Sequence, residues 1–541
     1  MNCRHGDFQS PALPTELPRP IRACRQSVCS FTAAGKVFYL VVLPLASFFL
    51  SFFYNGLKSA PLPAILGLAN SQKQGFTVPF FSPIPPTLRD LDALRNIGVK
   101  RVILQAIATG GITGGVIGLF RFSYDHINEA LVQAVHRHNI YDPAVAACLF
   151  GGLAVLGLLA LLALRIEPLV SGSGIPQVEL MVRGQMRMNW LRVLLCKFGG
   201  TLVSLSGGLS VGREGPSIMM GAAVGAGVGH LWGERGEQSL PRYLVGGCVA
   251  GLAAAFGAPI AGMFFAFEEM KTIISAPMLL FTGVCALSAW FVVQVVFGFG
   301  LVFPFAQQPF IHWSQWWIIP SAGVLMGVLG AFYNLVLLRL TLWADRSPLM
   351  PRPLRALLPF MIAGALLYLC PQVLVGFGIS TLQLEGLPLP LLGLFGLLAV
   401  KMAFSWISFA SGVSGGLLMP VLLMGSIGGA CMASGLLAAD IISAEQTATI
   451  LTLGMTGLFA GSVRAPLTGA FLLLEMTGAY HHIPAVVLTA YIAAFTANAL
   501  HSEPVYDSLR ARCLDLARAA TPNGNNGNDT DDSAMPDQLQ K

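Results

Sequence analysis

"GREGPSIMMGAAVGA", residues 212–226, and "GLLMPVLLMGSIGGA", residues 416–430, are two copies of one segment. At an offset of 204 positions they share Gly212/Gly416, Pro216/Pro420, Gly221/Gly425 and Gly225/Gly429. The same offset lays "GSGIP" (172–176) on "GFGIS" (376–380), Lys197 on Lys401 and Gly208 on Gly412. Further on, at an offset of 207, "APIAGMFFAFE" (258–268) matches "APLTGAFLLLE" (465–475). Apolar residues match by chance easily. Gly, Pro, Lys and Glu held in register from residue 172 to residue 268 do not. The chain therefore carries two repeats, at about residues 97–300 and 310–510.

Composition says what kind of repeat this is. Of 541 residues, 55% are hydrophobic and 11% charged, against ~25% charged in ordinary soluble domains. Mean hydropathy is +0.69. Apolar runs recur from residue 37 to residue 500, and a helical span of a bilayer needs ~20 apolar residues. These features predict an all-α polytopic membrane protein. The net charge of +6 is carried largely between the apolar runs, at Arg183, Arg187, Arg192, Arg339, Arg346, Arg352 and Arg355. That pattern fits basic cytoplasmic loops rather than nucleic-acid binding. Ten scattered cysteines show no CxxC pair and no zinc spacing, and read as reduced packing residues. The adjacent His481 and His482 are too few for a metal site.

The ends differ from the middle. Residues 1–94 form an N-terminal extension whose apolar stretch 37–57 lacks a signal-peptide cleavage pattern. Spanning would put the Arg-bearing arm on the face opposite the basic loops, so an interfacial segment is expected. The membrane domain is expected over 95–515, and a polar, disordered tail over 516–541.

Duplicated transporters bind substrate near the bilayer midplane, where broken helices of the two repeats meet. "SGSGIPQ", "GREGP" and "SGGLLMP" each read as a glycine loop entering a helix, with proline near the first turn. Such starts offer free backbone N–H groups and about half a positive charge from the helix dipole. Several converging would hold an anion without a full cation. Conduction needs that moderation, because the ion must also leave. A small anion is the substrate this pattern favours. Between Lys197 and Glu234 only Arg213 and Glu214 are ionised at neutral pH. An intramembrane charge costs ~3 kcal/mol or more, which marks Glu214 as functional.

At these motifs the chain resembles the CLC family of chloride channels and proton/chloride exchangers, in its form without C-terminal regulatory domains. The resemblance covers about residues 95–510 and rests on GSGIP, GREGP, GGLLMP, "AAAFGAPIAGMFFAFEEM" and "RAPLTGAFLLLEMTGAY". It implies two inverted repeats of tilted, partly broken helices. It also implies a homodimer with one pore per subunit in a bacterial inner membrane, with chloride and protons as cargo and no cofactor. By the same resemblance Glu214 is the gate, its carboxylate able to occupy an anion site. Ser173, which could otherwise merely cap the next helix, donates its hydroxyl to the central anion. Tyr506 is the second hydroxyl donor, and Leu417 and Leu418 supply backbone N–H groups. Leu418 stands where the family usually has Phe. Arg213 belongs to the scaffold or the outer approach.

The pair in "FEEM" separates exchanger from channel. Glu269 falls where exchangers of the family carry the internal proton-transfer glutamate. The repeat aligns Glu268, not Glu269, with Glu475, leaving Glu269 as the extra acid. Antiport of chloride against protons is therefore the expected activity. A passive chloride channel on the same fold is the alternative. An intramembrane enzyme built on Glu214 and Glu269 lacks any nucleophile–base set, metal cluster or nucleotide loop.

Overall fold

The computed structural model describes residues 99–233, 240–272, 275–303, 305, 309–348, 350–374 and 390–519. The extension 1–94, with its segment 37–57, the "GFGIS" stretch 376–380 and the tail from 521 onward lie outside the described residues. The first repeat holds α1 (Val99–Arg137), α2 (Pro143–Ile166), α3 (Ile175–Val182), α4 (Trp190–Ser206), α5 (Glu214–Leu231), α6 (Leu240–Phe256), α7 (Pro259–Glu268) and α8 (Ala276–Phe297). The second holds α9 (Ile318–Arg346), α10 (Arg352–Leu369), α11 (Leu391–Ala410), α12 (Leu418–Ala438), α13 (Thr447–Val463), α14 (Pro466–Thr477) and α15 (Ile483–Ala499), followed by α16 (Val505–Ala519). In order, α4–α8 correspond to α11–α15.

Local chemistry sets the helix ends. Asp142 accepts from Ala144 N ahead of Pro143, Asn189 accepts from Arg192 N, and Ser275 accepts from Met278 N. These are the side-chain caps that orphan first-turn N–H groups require. Gly298 closes α8 with a left-handed φ of 64°. α16 runs to Ala519, past the tail boundary expected at 515. The stretch Leu514–Ala519 is rich in Leu, Ala and Arg, good helix formers, and it continues the helix.

Among the described residues, eight helical segments are long and apolar enough to cross a membrane. The chain is a multi-pass integral membrane protein. α1 has 39 residues, which at ~1.5 Å each exceeds the ~30 Å hydrocarbon thickness, long enough to span with tilt or with its polar C-terminal part projecting. α3, α7 and α14 have 8, 10 and 12 residues, each reaching about 12–18 Å, too short to cross a hydrocarbon layer of ~30 Å. Leu158 and Leu162 of α2 are more than half exposed, as lipid-facing residues are.

The repeats pack alike. A Cβ on Gly221 or Gly225 of α5 would strike the carbonyls of Gly247 and Tyr243 on α6. A Cβ on Gly425 or Gly429 of α12 would strike Gly454 and Ile450 on α13 in the same way. Close backbone approach between small residues holds membrane helices together without a hydrophobic driving force. α12 has 21 residues against 18 in α5. That difference is why the sequence offset shifts from 204 to 207.

A local two-fold axis relates the halves. Glu268, ending α7, accepts from Leu467 N (3.0 Å), Thr468 N (2.7 Å) and Thr468 Oγ1 (2.7 Å) at the start of α14. Glu475, near the end of α14, accepts from Ile260 N (3.0 Å) and Ala261 N (2.8 Å) at the start of α7. Each helix thus caps the other, which makes them antiparallel. Between them Phe264 and Phe471 stack with centroids 4.8 Å apart. Gly212 and Gly416 also meet as an antiparallel bridge, exchanging N–H···O bonds of 2.6 and 2.7 Å. Both pairs are residues equivalent by the sequence offset, so each sits on the axis. The repeats are inverted.

Candidate functional site

Three glycine loops meet near that axis. Gly172 N donates to Val413 O at 3.2 Å, Gly415 N donates to Gly172 O at 3.0 Å, and the Gly212–Gly416 bridge joins the third loop. Side chains hold the assembly. Ser171 Oγ donates to Gly412 O at 2.8 Å, and Thr201 Oγ1 lies 2.8 Å from Ser414 Oγ. The buried Lys197 Nζ donates to Val170 O (2.9 Å) and Gly172 O (2.7 Å). Its repeat mate Lys401 donates to Val373 O at 2.6 Å. Both lysines thus pair with loop carbonyls, as ionisable groups inside a membrane protein do. From these loops α3, α5 and α12 start, so their positive N-terminal ends converge.

Glu214 is the first residue of α5 and is fully buried. Its Oε2 accepts from Met419 N at 3.3 Å, in the first turn of α12. A carboxylate thus sits on the N-terminus of the other repeat's helix, where an anion is stabilised. Its Oε1 has no hydrogen-bond partner among the described residues. A Cβ on Gly212 would overlap Oε2, so only glycine leaves the carboxylate its place. Leu417 caps α12 and Leu418 opens it, both buried, with Leu418 one residue before the N–H that Glu214 engages. Met419 went unnoticed in sequence, although the first four N–H groups of any helix lack intrahelical partners.

Ser173 is buried and its Oγ accepts from Ile175 N at 3.3 Å. The serine oxygen meets the N–H of the first residue of α3 from one position ahead of the helix's Gly174 N-cap. A Cβ on Gly215 would strike Ser173 O and Cβ, so the start of α5 presses on Ser173.

Tyr506, in the first turn of α16, is buried, and its hydroxyl has no hydrogen-bond partner among the described residues. It lies within electrostatic reach of Glu214, Glu269 and Tyr333. Asn334 Nδ2 fixes the approach to α16, donating to Ser462 O (2.8 Å) and Glu503 O (3.2 Å).

Glu269 caps α7 at its C-terminus and is 7% exposed. Unlike Glu268, it takes no part in the reciprocal capping; its neighbours by charge are Glu179, Asp507, Lys271 and Glu268. His481 and His482 lie elsewhere, with His482 stacked on Phe310. No cluster of metal-ligating side chains occurs among the described residues.

Residues 151–498 match the family model described as voltage gated chloride channel. The chain is 35% identical over 367 residues to the H(+)/Cl(-) exchange transporter ClcA of Vibrio cholerae, covering 65% of this chain and 76% of that one. It is 29% identical over 430 residues to the exchange transporter of the same name from Vibrio parahaemolyticus, covering 76% and 90%. Its fold is similar to a slow cyanobacterial Cl-/H+ antiporter, with TM-score 0.70, 29% identity and coverage of 77% of this chain and 98% of that one. It is also similar to a CLC-type fluoride/proton antiporter, with TM-score 0.62, 20% identity and coverage of 76% and 98%; that match bears on fold alone. The chain belongs to the voltage-gated chloride channel family, the CLC family.

Proposed function

We propose that this protein exchanges chloride for protons across the bacterial inner membrane, with Glu214 as the gate and Glu269 as the separate proton-transfer acid. The observation that carries the reading is the Glu214 carboxylate on the α12 N-terminus, hydrogen-bonded to Met419 N. A carboxylate and chloride are both anions, so they compete for one positive helix end. Protonation neutralises the carboxylate, weakens its hold there, and opens the place to chloride. Ser173, Tyr506 and the backbone N–H groups of Leu417 and Leu418 are the donors assigned to the anion.

A proton cannot follow chloride through sites lined by neutral donors, so it needs an acid of its own. Glu269 supplies one, buried yet close to the basic face of the protein. The relatives named for H+/Cl- exchange support the exchange activity itself. A second copy is the expected partner, with one pore per subunit.

The test is coupled flux in reconstituted vesicles. Chloride running down its gradient should drive protons uphill in the unaltered protein. Glu269→Gln keeps shape and part of the hydrogen bonding but carries no proton, so chloride flux should persist without proton pumping. Glu268→Gln should retain coupling. Chloride movement without proton pumping in the unaltered protein would make it a passive channel on the same fold. Pumping lost in Glu268→Gln and kept in Glu269→Gln would reverse the assignment within the pair.

A further inference from the structure

On the basic face a chain of ion pairs joins three of the segments that carry or adjoin proposed ion-handling residues, those of Ser173, Glu269 and Tyr506. Lys271 Nζ lies 2.6 Å from Asp507 Oδ1, and Arg510 Nη2 lies 3.3 Å from the same oxygen. Arg510 also pairs with Glu179 Oε1, which Arg183 contacts at 2.6 Å. Lys271 follows Glu269 by two residues, Asp507 follows Tyr506 by one, and Glu179 belongs to α3, the helix entered through Ser173. Farther along α16, Arg512 grips Asp345 of α9 through Nε (2.6 Å) and Nη2 (3.0 Å), and Arg355 of α10 adds a bond of 2.7 Å.

These pairs differ in character. Glu179 is buried, with its side chain 1% exposed, so its contact with Arg510 is a fixed anchor. Lys271 and Asp507 are 45% and 31% exposed, and an exposed pair is worth little to overall stability. Lys271 nevertheless takes a left-handed φ of 50°. A non-glycine residue keeps that conformation only where its surroundings hold it there. α16 is amphipathic and short, and its N-terminus delivers a buried hydroxyl with no hydrogen-bond partner among the described residues. A small swing of this helix would withdraw that hydroxyl from the ion path.

We propose that Asp507, through its ion pair with Lys271, is a positioning residue for Tyr506, holding the Tyr506 hydroxyl in the anion path and tying it to the segment that carries Glu269. The inference rests on the chloride reading above, and it makes Asp507 and Lys271 act on chloride only by way of Tyr506. Neither side chain needs to touch the ion.

The experiment is a chloride titration by calorimetry on the full chain in detergent, at constant ionic strength. Asp507→Asn is measured in the unaltered chain and in a Tyr506→Phe background. Lys271→Gln, a change at a half-exposed side chain that folding tolerates, repeats the comparison from the other end. Each should weaken chloride binding about two- to fivefold with Tyr506 present, the scale of one exposed ion pair, and leave it unchanged once the hydroxyl is gone. Asp507→Glu should keep the unaltered affinity. Equal losses in both backgrounds, or no loss in either, would overturn the positioning role while leaving the chloride reading intact. Absence of chloride binding by the unaltered chain would overturn both.

Discussion

In the proposed mechanism Glu214 is both a structural ligand and a moving part. Its carboxylate gains a helix N-terminus but leaves Oε1 without a hydrogen-bond partner among the described residues. An intramembrane anion held this incompletely is poised to leave when it gains a proton. Glu214→Gln removes the charge and the proton at nearly constant shape. In vesicles this variant should lose uphill proton transport and keep chloride flux, with flux insensitive to pH. Retained pH-dependent exchange would remove Glu214 from the mechanism. The sequence singles out this acid because Arg213 and Glu214 are the lone charges in an otherwise neutral apolar stretch. Where it rests was not legible, because Met419 lies 205 positions away and only the closed fold brings it near. The hydroxyl of Tyr506 was legible only by resemblance. By itself a tyrosine beyond the last apolar run reads as a membrane-interface residue.

At the scale of elements, the decisive device is the reciprocal capping of α7 and α14. Neither of these short helices is long enough to cross the membrane, and in hydrocarbon its first N–H groups have no water to meet. Glu268 and Glu475 meet them instead, with two backbone bonds apiece. Glu475→Ala leaves Ile260 N and Ala261 N unpaired. Hydrogen bonds to charged groups are each worth about 1.5–3 kcal/mol, so the loss should lower the melting temperature in detergent by several degrees. An unchanged melting temperature would show that the caps contribute nothing to stability. The matching "APIAGMFFAFE" and "APLTGAFLLLE" segments announced a shared role for these two acids. That each caps the other's helix was hidden, because periodicity within one segment carries no information about what meets its ends.

For the whole molecule, the inverted repeat means that the site belongs to neither half. Gly172 bonds to Val413, Gly212 to Gly416, Ser210 N to Ser408 Oγ at 3.2 Å, and Thr201 to Ser414, all across the repeat boundary. Glu214 of the first repeat rests on α12 of the second, and Glu268 and Glu475 cap across the same division. A half alone would expose loop amides, two helix starts and buried lysine-braced glycine turns, each costing several kcal/mol in hydrocarbon. The α5–α6 and α12–α13 glycine contacts lie within single repeats, so each half keeps local helix pairing but loses its functional centre. Splitting the chain between residues 300 and 310 should therefore give two polypeptides that insert yet are unstable when expressed singly. Expressed together they should associate through the two-fold contacts, co-purify on a tag carried by one of them, and restore chloride flux in vesicles. Gly212→Val in the first half should weaken that co-purification, since a side chain there would displace the Glu214 carboxylate and press on Met419 Cβ of the other half, 3.1 Å from the added Cβ. A single half that purifies as a stable species and binds chloride would show that the repeats are independent domains and that the axis is only a packing surface.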